Sequence, residues 1–407
     1  GRNSEEKRQQ GGHGLGQESR SIPGMSAYPQ VHLALERLPQ GPWIYARLMD
    51  DPDAGYGGGS APDGSIVEVI DGEGRFCGHG LYNSTSDIRV RMLSRGRRTD
   101  LDRPREFLRR QIASSLRLRR KLLRLDEVTD AYRVVHAEGD DLPGLIVDKL
   151  GDALVCQHHS LGFWNLRHEV EAVLRELFPD HSVLHRFAKS ARNAEGLAAN
   201  DPGVDGDTVE PRYIQEFEAK FLVHPGESHK TGWFCDQRDN RQKLAQYVRG
   251  RDLLDLCCHA GGFSIPAMLA GARSVTAVDL DEEPLARAQE AARHNGVEIE
   301  FHHADAFNVL RDVTASRRRP GAVILDPHKL AKGKRDLEEA KGKYRDLNAL
   351  GIGAVAPGGI VATFSCSGAL DLPSFAGIVF QAARRAEREV RLIEVLGASA
   401  DHPQRPD

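Results

Sequence analysis

Acidic side chains follow the apolar segments in the second half of the chain at regular intervals. They are Asp255, Asp279, Asp305 and Asp326. Helical patterns alternate with these segments, which predicts a mostly parallel, doubly wound sheet whose ligands bind outside the carboxyl ends of the strands. Because those ends share one edge, we expect the carboxylates to lie close together. A single aspartate at such a position is equally explained as a helix N-cap or turn residue, but the succession favours a binding site.

A glycine pair follows the first of these segments. Gly261, Gly262 and Phe263 open a predicted helix, where glycine lets the backbone approach a ligand and the helix N-terminus favours an anionic group. Asp279, after the next strand, is placed to accept hydrogen bonds from two ribose hydroxyls, and Asp305, after the third, from an adenine amine. The GxGxxG spacing of dinucleotide dehydrogenases is absent, which argues against a dinucleotide site.

The rest of the chain divides into segments of different pattern. Residues 1–27 are polar and glycine-rich, which predicts a disordered tail. Residues 28–98 contain short strands and glycine turns, typical of a small β-barrel, and residues 99–205 combine a basic helix with a central α/β domain. The alternating strands and helices of the parallel sheet occupy residues 206–407.

Composition narrows the class of protein. The 407 residues carry a formal net charge of −4, with 40% hydrophobic and 28% charged residues, as in an ordinary globular protein. No apolar run is long enough to span a bilayer. The six cysteines form no CxxC pair, which predicts a reducing, cytoplasmic setting. The adjacent Cys257, Cys258 and His259 on a short turn would seldom point at one ion, so no metal site is predicted. The oligomeric state stays open.

Basic residues crowd together between Arg103 and Arg124. Apolar residues recur among them at helical spacing: Leu108, Ile112, Leu118, Leu122 and Leu125. The cluster is explained either as the solvated face of a packed helix or as a surface that contacts the phosphates of RNA. The candidate RNA-binding residues are Arg109, Arg110, Arg117, Arg119 and Arg120.

The first segment resembles a PUA domain. The resemblance rests on Gly41-Pro-Trp43, on a strand that ends at Asp71, and on Gly80-Leu-Tyr-Asn83. It implies binding of structured RNA. The strand-end aspartates and the glycine pair resemble class I S-adenosylmethionine-dependent methyltransferases. That likeness implies a Rossmann-like methyltransferase domain of α/β class, following an N-terminal PUA-like β-barrel and a small central α/β domain.

Further motifs make the resemblance narrower. They are Glu138-Gly-Asp-Asp-Leu-Pro-Gly144, Thr231-Gly-Trp-Phe-Cys-Asp-Gln-Arg-Asp-Asn-Arg241 and Phe364-Ser-Cys-Ser367. Together they resemble the PUA-containing 23S rRNA cytosine-5 methyltransferases. The resemblance implies S-adenosylmethionine as cofactor and large-subunit rRNA as partner. It also implies a cofactor site in which Gly261 and Gly262 lie near the methionyl group, Asp279 at the ribose and Asp305 at the adenine. The remaining cofactor candidates are Asp236, Arg238, Asp255 and Phe263.

The same resemblance implies a cysteine mechanism. Carbon 5 of cytosine is a poor nucleophile, so a thiolate first adds to carbon 6, and the resulting enamine attacks the methyl group. Cys366 is the candidate nucleophile, although a free cysteine is also a common buried hydrophobe. Asp326 would hydrogen-bond or exchange protons with the base. Relatives carry Asp-Pro-Pro followed by an aromatic residue, whereas this chain reads Asp326-Pro327-His328-Lys329-Leu330. His328 is a candidate for stacking on the base or taking a proton.

The substitution at His328 leaves other functions open. One is methylation of a guanine nitrogen, which needs no cysteine nucleophile. Another is an RNA-binding relative that has lost catalysis, and a third is a small-molecule methyltransferase, which would leave the PUA-like module without a purpose.

Overall fold

The computed structural model describes residues 28–50, 61–97, 101–226, 231–316, 319–331 and 333–405. The predicted disordered tail at 1–27 lies outside the described residues. Within these ranges, no helix combines the length and apolar character that crossing a bilayer requires.

The N-terminal module is one five-stranded sheet. Its strands are β1 (Gln30–His32), β2 (Trp43–Tyr45), β3 (Ile66–Ile70), β4 (Phe76–Tyr82) and β5 (Ile88–Ser94). Their order in the sheet is β1-β3-β4-β5-β2; β1 runs parallel to β3 and the other neighbours are antiparallel. Glycine at position 80 permits the close β4–β5 approach, because a Cβ there would lie 2.3 Å from Cγ1 of Val90. The β-rich module that the glycine turns predicted is confirmed.

The central domain follows as a mixed sheet covered by helices. Its elements are α1 (Pro104–Arg117), β6 (Ala131–His136), β7 (Leu145–Leu150), β8 (Ala153–His158), α2 (Leu161–Asn165), α3 (Arg167–Leu177), β9 (Ser182–Phe187), α4 (Arg192–Glu195) and β10 (Val204–Gly206). The order is β10-β9-β8-β7-β6, with β8 and β9 parallel. Apolar residues of α1 and α3 share one buried cluster with the sheet. The short α2 leads directly into α3.

The structure removes one arginine from the predicted basic surface at helix α1. Its buried face includes Leu108, Ile112 and Ser115, and this face continues at the helical spacing of three to four residues to Arg119. Arg119 is therefore 0% exposed and does not belong to the surface. A π-type turn over Leu118–Leu122 then shifts the register, because it needs more residues per turn than an α-helix. As a result Leu122, although it belongs to the apolar series at helical spacing, is 73% exposed.

The third region contains the parallel sheet. After the hairpin β11 (Arg212–Glu216) and β12 (Ala219–Val223), its elements are α5 (Arg238–Tyr247), β13 (Asp252–Leu256), α6 (Ser264–Leu269), β14 (Ser274–Asp279), α7 (Glu282–His294), β15 (Glu300–His303), α8 (Ala306–Ala315), β16 (Ala322–Leu325), α9 (Leu337–Ala354), β17 (Ile360–Thr363) and α10 (Leu372–Arg385). All pairings within the order β15-β14-β13-β16-β17 are parallel. The order changes direction beside β13, so a crevice opens there at the carboxyl ends of the strands. The predicted doubly wound sheet is confirmed.

Candidate active site and cofactor crevice

The structure brings the acidic strand ends together at this crevice. Register pairs Leu256 of β13 with Val278 of β14 and with Leu325 of β16. Asp279, the last residue of β14, and Asp326, the first residue after β16, therefore flank Cys257 at the same level. This is the convergence that the sequence pattern predicted.

The loop after β13 has an unusual backbone. Cys257, His259 and Gly261 have φ values of 62°, 49° and 77°, alternating with residues of negative φ. These turns fold the loop back on the sheet, where Cys258 N donates to the carbonyl of Val278 at 3.0 Å and Gly261 N donates to the carbonyl of Cys258 at 2.9 Å. His259 N already donates to Asp279 Oδ2 at 2.7 Å. At Gly262 a Cβ would lie 2.8 Å from Nε of Arg241, so the absence of a side chain lets Arg241 pack closely against the loop.

Asp255 is fully buried beneath the loop. Its Oδ2 accepts from Oγ of Ser264 at 2.5 Å, and its Oδ1 has no hydrogen-bond partner within the described ranges. Burial, together with the negative charges of Asp326 and Asp279, raises the pKa of Asp255 to about 7. A carboxyl without a partner at Oδ1, beside two more carboxylates, suits a ligand that brings positive charge.

Replacing Asp255 with asparagine is expected to flatten the pH dependence of stability without cofactor. A carboxyl whose pKa is raised on folding holds its proton more tightly in the folded protein, so wild-type stability falls as pH rises from about 4 to about 7. Asparagine keeps an acceptor for Ser264 but does not titrate, and the difference between variant and wild type should change by about 2–4 kcal/mol between pH 4 and 8. Urea unfolding across that range measures it. The exposed Asp312→Asn is the control, and equal profiles for wild type and Asp255→Asn would contradict the prediction.

Two further cofactor candidates, Asp305 and Phe263, have structural roles in the fold. Asp305 is the N-cap of α8, and its Oδ1 accepts from Asn308 N at 3.0 Å. Its helix-capping role is therefore observed, and its half-buried position leaves further acceptor capacity. Phe263 is buried and stacks on Phe364, with ring centroids 5.2 Å apart. Its ring belongs to the core beneath the crevice, so the prediction of a cofactor contact through this side chain is not supported.

The residues at the start of α5 differ from the prediction in two ways. Arg238 was predicted to bind cofactor, but its guanidinium is buried and donates from both terminal nitrogens to the Asp401 carboxylate at 3.1 Å. Asp236 is half-buried, and its carbonyl accepts from Ser399 N at 2.8 Å. Gln237, which lies between them and was not predicted as a site residue, donates from Nε2 to Asp326 Oδ2 at 3.5 Å. Its place between Asp236 and Arg238 in the Thr231–Arg241 motif could have indicated this role.

Cys366 faces the loop that carries Asp326. It lies just after β17 and is exposed, and its Sγ donates to the carbonyl of Pro327 at 3.8 Å. The serines on either side turn the other way: Oγ of Ser365 donates to Oη of Tyr344 at 3.0 Å, and Oγ of Ser367 lies 3.1 Å from the same oxygen. Tyr344 thereby holds the loop so that the thiol stands at the crevice. His328 is exposed beside it.

Buried charged residues of the central domain form one cluster with Asp401. Arg119 binds the Asp140 carboxylate through two bonds of 2.7 Å, and Arg133 binds Asp148 at 2.8 and 2.9 Å. Asp401 connects them, because its carbonyl accepts from Arg119 at 2.7 Å and its carboxylate from Arg133 N at 2.9 Å. These buried residues thus fix the central domain against α5 and the C-terminal segment.

Comparisons with known proteins agree with this architecture. Residues 37–95 match the PUA-like domain family, and residues 190–404 match the S-adenosylmethionine-dependent methyltransferase family. A solved methyltransferase structure complexed with SAH superposes with a TM-score of 0.76 at 17% identity, over 93% of this chain and 96% of that one. An S-adenosylmethionine-dependent methyltransferase from Streptococcus mutans gives 0.74 at 16% identity, over 92% and 95%. Fold and domain match define an S-adenosylmethionine-dependent methyltransferase.

Relatives at higher identity narrow the class. The ribosomal RNA large subunit methyltransferase I of Pseudoalteromonas atlantica is 35% identical over 384 residues, which cover 93% of this chain and 95% of the relative. The protein of the same name from Aeromonas salmonicida is 34% identical over 366 residues, or 89% and 90%. The chain belongs to the ribosomal RNA large subunit methyltransferase I family.

Proposed function

We propose that this methyltransferase forms 5-methylcytosine in 23S rRNA of the large ribosomal subunit, through a covalent bond between Cys366 and the target base. The observation that carries the proposal is the exposed thiol at the crevice, 3.8 Å from the carbonyl of Pro327 and adjacent in space to the Asp326 loop. Family membership supports the RNA substrate, and the thiol supports carbon 5 of cytosine over a guanine nitrogen.

The crevice fits the cofactor. S-adenosylmethionine supplies an electrophilic methyl group on a sulfonium centre. The loop at Gly261 and Gly262 would lie against its methionyl group, while Asp279 would accept from its ribose hydroxyls and Asp305 from its adenine amine. The clustered carboxylates, including buried Asp255, would balance its positive charges.

The chain's own groups would then act in sequence. The Cys366 thiolate forms a bond to carbon 6, which makes carbon 5 nucleophilic towards the methyl group. Carbon 5 then takes the methyl group as the bond of that methyl to the sulfonium sulfur breaks. A base removes the proton from carbon 5, the electron pair re-forms the double bond between carbons 5 and 6, and Cys366 leaves carbon 6 as a thiolate. Asp326, oriented by Gln237, would hold the polar edge of the cytosine, which must be flipped out of its stack to reach the crevice.

The experiment that tests the proposal identifies the product. Purified protein, tritiated S-adenosylmethionine and rRNA that lacks its own methylations are incubated, and the RNA is digested to nucleosides. We expect label in 5-methylcytidine. Label in a methylguanosine would overturn the choice of base, and intact cofactor binding without any label would favour an RNA-binding protein that has lost catalysis at His328.

Helix α1 offers a surface for the RNA backbone. Arg109, Arg110 and Arg117 are exposed on it, and half-buried Arg120 lies 4.6 Å over the ring of Phe178. Replacing the three exposed arginines with glutamine should weaken RNA binding. The slope of log affinity against log salt should fall by about 0.7–0.9 for each phosphate that the protein no longer neutralises. Salt titrations of binding measure this slope.

A matched variant separates direct phosphate binding from net charge. Arg249, Arg293 and Arg384 are exposed elsewhere on the third region, and their replacement by glutamine removes the same charge. An equal change of slope in both variants would rule out α1 as the RNA-binding surface.

A further inference from the structure

A second cleft lies between the N-terminal module and the central domain. Its volume is about 540 Å³, within the range of small-ligand sites. One wall comes from β2 and the start of β5, and the other from the turn after β6, the end of β8 and α4. The side chains that matter for recognition are Trp43, Arg91, Glu138, His159 and Glu195.

Glu195 makes the cleft rigid. Its carboxylate accepts from Asn83 Nδ2 at 3.0 Å, Ser86 Oγ at 2.9 Å and Arg91 Nη2 at 2.8 Å, all from the N-terminal module. It also accepts from Leu161 N at 3.0 Å in the central domain. Because every bond joins the walls through one buried group, the cleft is preformed and needs no closure.

Trp43 stands at the cleft as an aromatic platform. It is 37% exposed, and its Nε1 donates to Glu138 Oε1 at 3.0 Å across the two modules. That bond fixes the indole orientation and leaves ring surface to solvent. Exposed aromatic rings of this kind stack on bases of single-stranded nucleic acid.

The polar groups of the cleft suit a neutral base rather than a phosphate. Glu138 and exposed Asp87 would repel a phosphate, whereas the charge of Glu195 is balanced by Arg91. Among the described residues, Arg91 makes its two hydrogen bonds through Nη2, which leaves Nε and Nη1 as donors. Burial and the charge of Arg91 lower the pKa of His159 to about 4, so its ring is neutral at physiological pH. Guanine matches this set best, because its N1–H and N2–H donors suit a carboxylate and its O6 and N7 suit arginine.

We propose that this cleft binds one unpaired guanine of the RNA substrate, stacked on Trp43 with its polar edges at Glu138 and Arg91. The proposal rests on the proposed function, since it takes RNA as the substrate. It adds a second recognition point, separate from the base that is methylated.

Tryptophan fluorescence provides a direct test. Trp164 and Trp233 are 4% and 1% exposed, so quenching by an added base reports on Trp43. The full chain is titrated with the RNA pentamers UUGUU, UUAUU, UUCUU and UUUUU. We expect quenching, with UUGUU bound at least about tenfold more tightly than UUUUU. Absence of quenching, or equal affinity for all pentamers, would overturn the proposal.

Variants separate stacking from edge recognition. Trp43→Ala should weaken UUGUU binding about 5- to 100-fold, while Trp43→Phe, which keeps a ring, should retain most of the affinity. Glu138→Gln should lose the preference for guanine. Circular dichroism confirms that each variant is folded, and unchanged affinity in Trp43→Ala would count against the site.

The two proposals fail in different ways. Formation of 5-methylcytidine without guanine-dependent quenching would reject the cleft and leave the function intact. Guanine-dependent quenching without methyl transfer would reject the function and leave the base site. Guanosine monophosphate bound as tightly as UUGUU would overturn the assignment of the cleft to RNA.

Discussion

Replacing Cys366 with alanine is expected to lower the rate of cytosine methylation by about a thousandfold or more, because removal of a covalent nucleophile costs at least that much in enzymes that depend on one. Cofactor and RNA affinity should change little, since the Cys366 side chain is exposed and its contact with the Pro327 carbonyl, at 3.8 Å, is weak. Single-turnover transfer of tritium to rRNA measures the rate, and equilibrium dialysis measures cofactor binding.

The control is Cys77→Ala, which removes a half-buried thiol of the N-terminal module and should leave the rate unchanged. An independent readout uses RNA with 5-fluorocytidine at the target, because fluorine cannot leave as a proton does and the adduct accumulates. Wild type should give a protein–RNA band that survives denaturation, and Cys366→Ala should not. Undiminished methylation by Cys366→Ala would contradict the cysteine mechanism.

Replacing Asp401 with alanine is expected to lower the free energy of unfolding by about 3–5 kcal/mol. The change leaves the Arg238 guanidinium buried without the carboxylate that binds it through two 3.1 Å bonds, and removal of one partner of a buried ion pair has a cost of this size. It also takes away the acceptor of Arg133 N. Chemical unfolding at neutral pH measures the decrease.

The exposed pair of Glu338 and Lys341 provides the matched control. Glu338 is 85% exposed and lies 2.7 Å from Lys341, so Glu338→Ala should change stability by less than about 1 kcal/mol. A similar small effect for Asp401→Ala would show that the buried cluster contributes little.

The pKa of the Asp401 carboxyl also determines how its contribution to stability changes with pH. Burial alone would raise the pKa of Asp401, but the hydrogen bond from His402 and the charge of Arg238 hold it well below its usual range. A carboxyl whose pKa falls on folding stabilises the protein above its unfolded pKa near 4, and this contribution is lost as pH falls below that value.

Strand and helix patterns in the sequence predicted those features of the structure that depend on residues close together in the chain. The parallel sheet and its acidic ends follow from alternating strand and helix segments, so Asp279 and Asp326 could be placed at one edge from the sequence. The position of Arg119 was also encoded, because helical spacing from Leu108 and Ile112 directs it inwards. Basic character alone led to the wrong surface assignment.

Contacts between distant segments could not be predicted in this way. Arg238 and Asp401 are separated by 163 residues, and no periodicity links them. The stacking of Phe263 on Phe364 and the bond from Gln237 to Asp326 likewise depend on how separate strands and loops assemble. These contacts decide which residues of a motif face the ligand and which support the fold.

The bond from Arg119 to the Asp401 carbonyl spans 282 residues, and this separation has a consequence for biosynthesis. Domains fold in the order in which the ribosome releases them, so the central domain is complete long before residue 401 is translated. Until then Arg119 has Asp140 but lacks the carbonyl, and Arg238 lacks its carboxylate. The segment around Asp401 therefore completes the buried cluster, and the nascent chain acquires these contacts only after that segment has emerged from the ribosome.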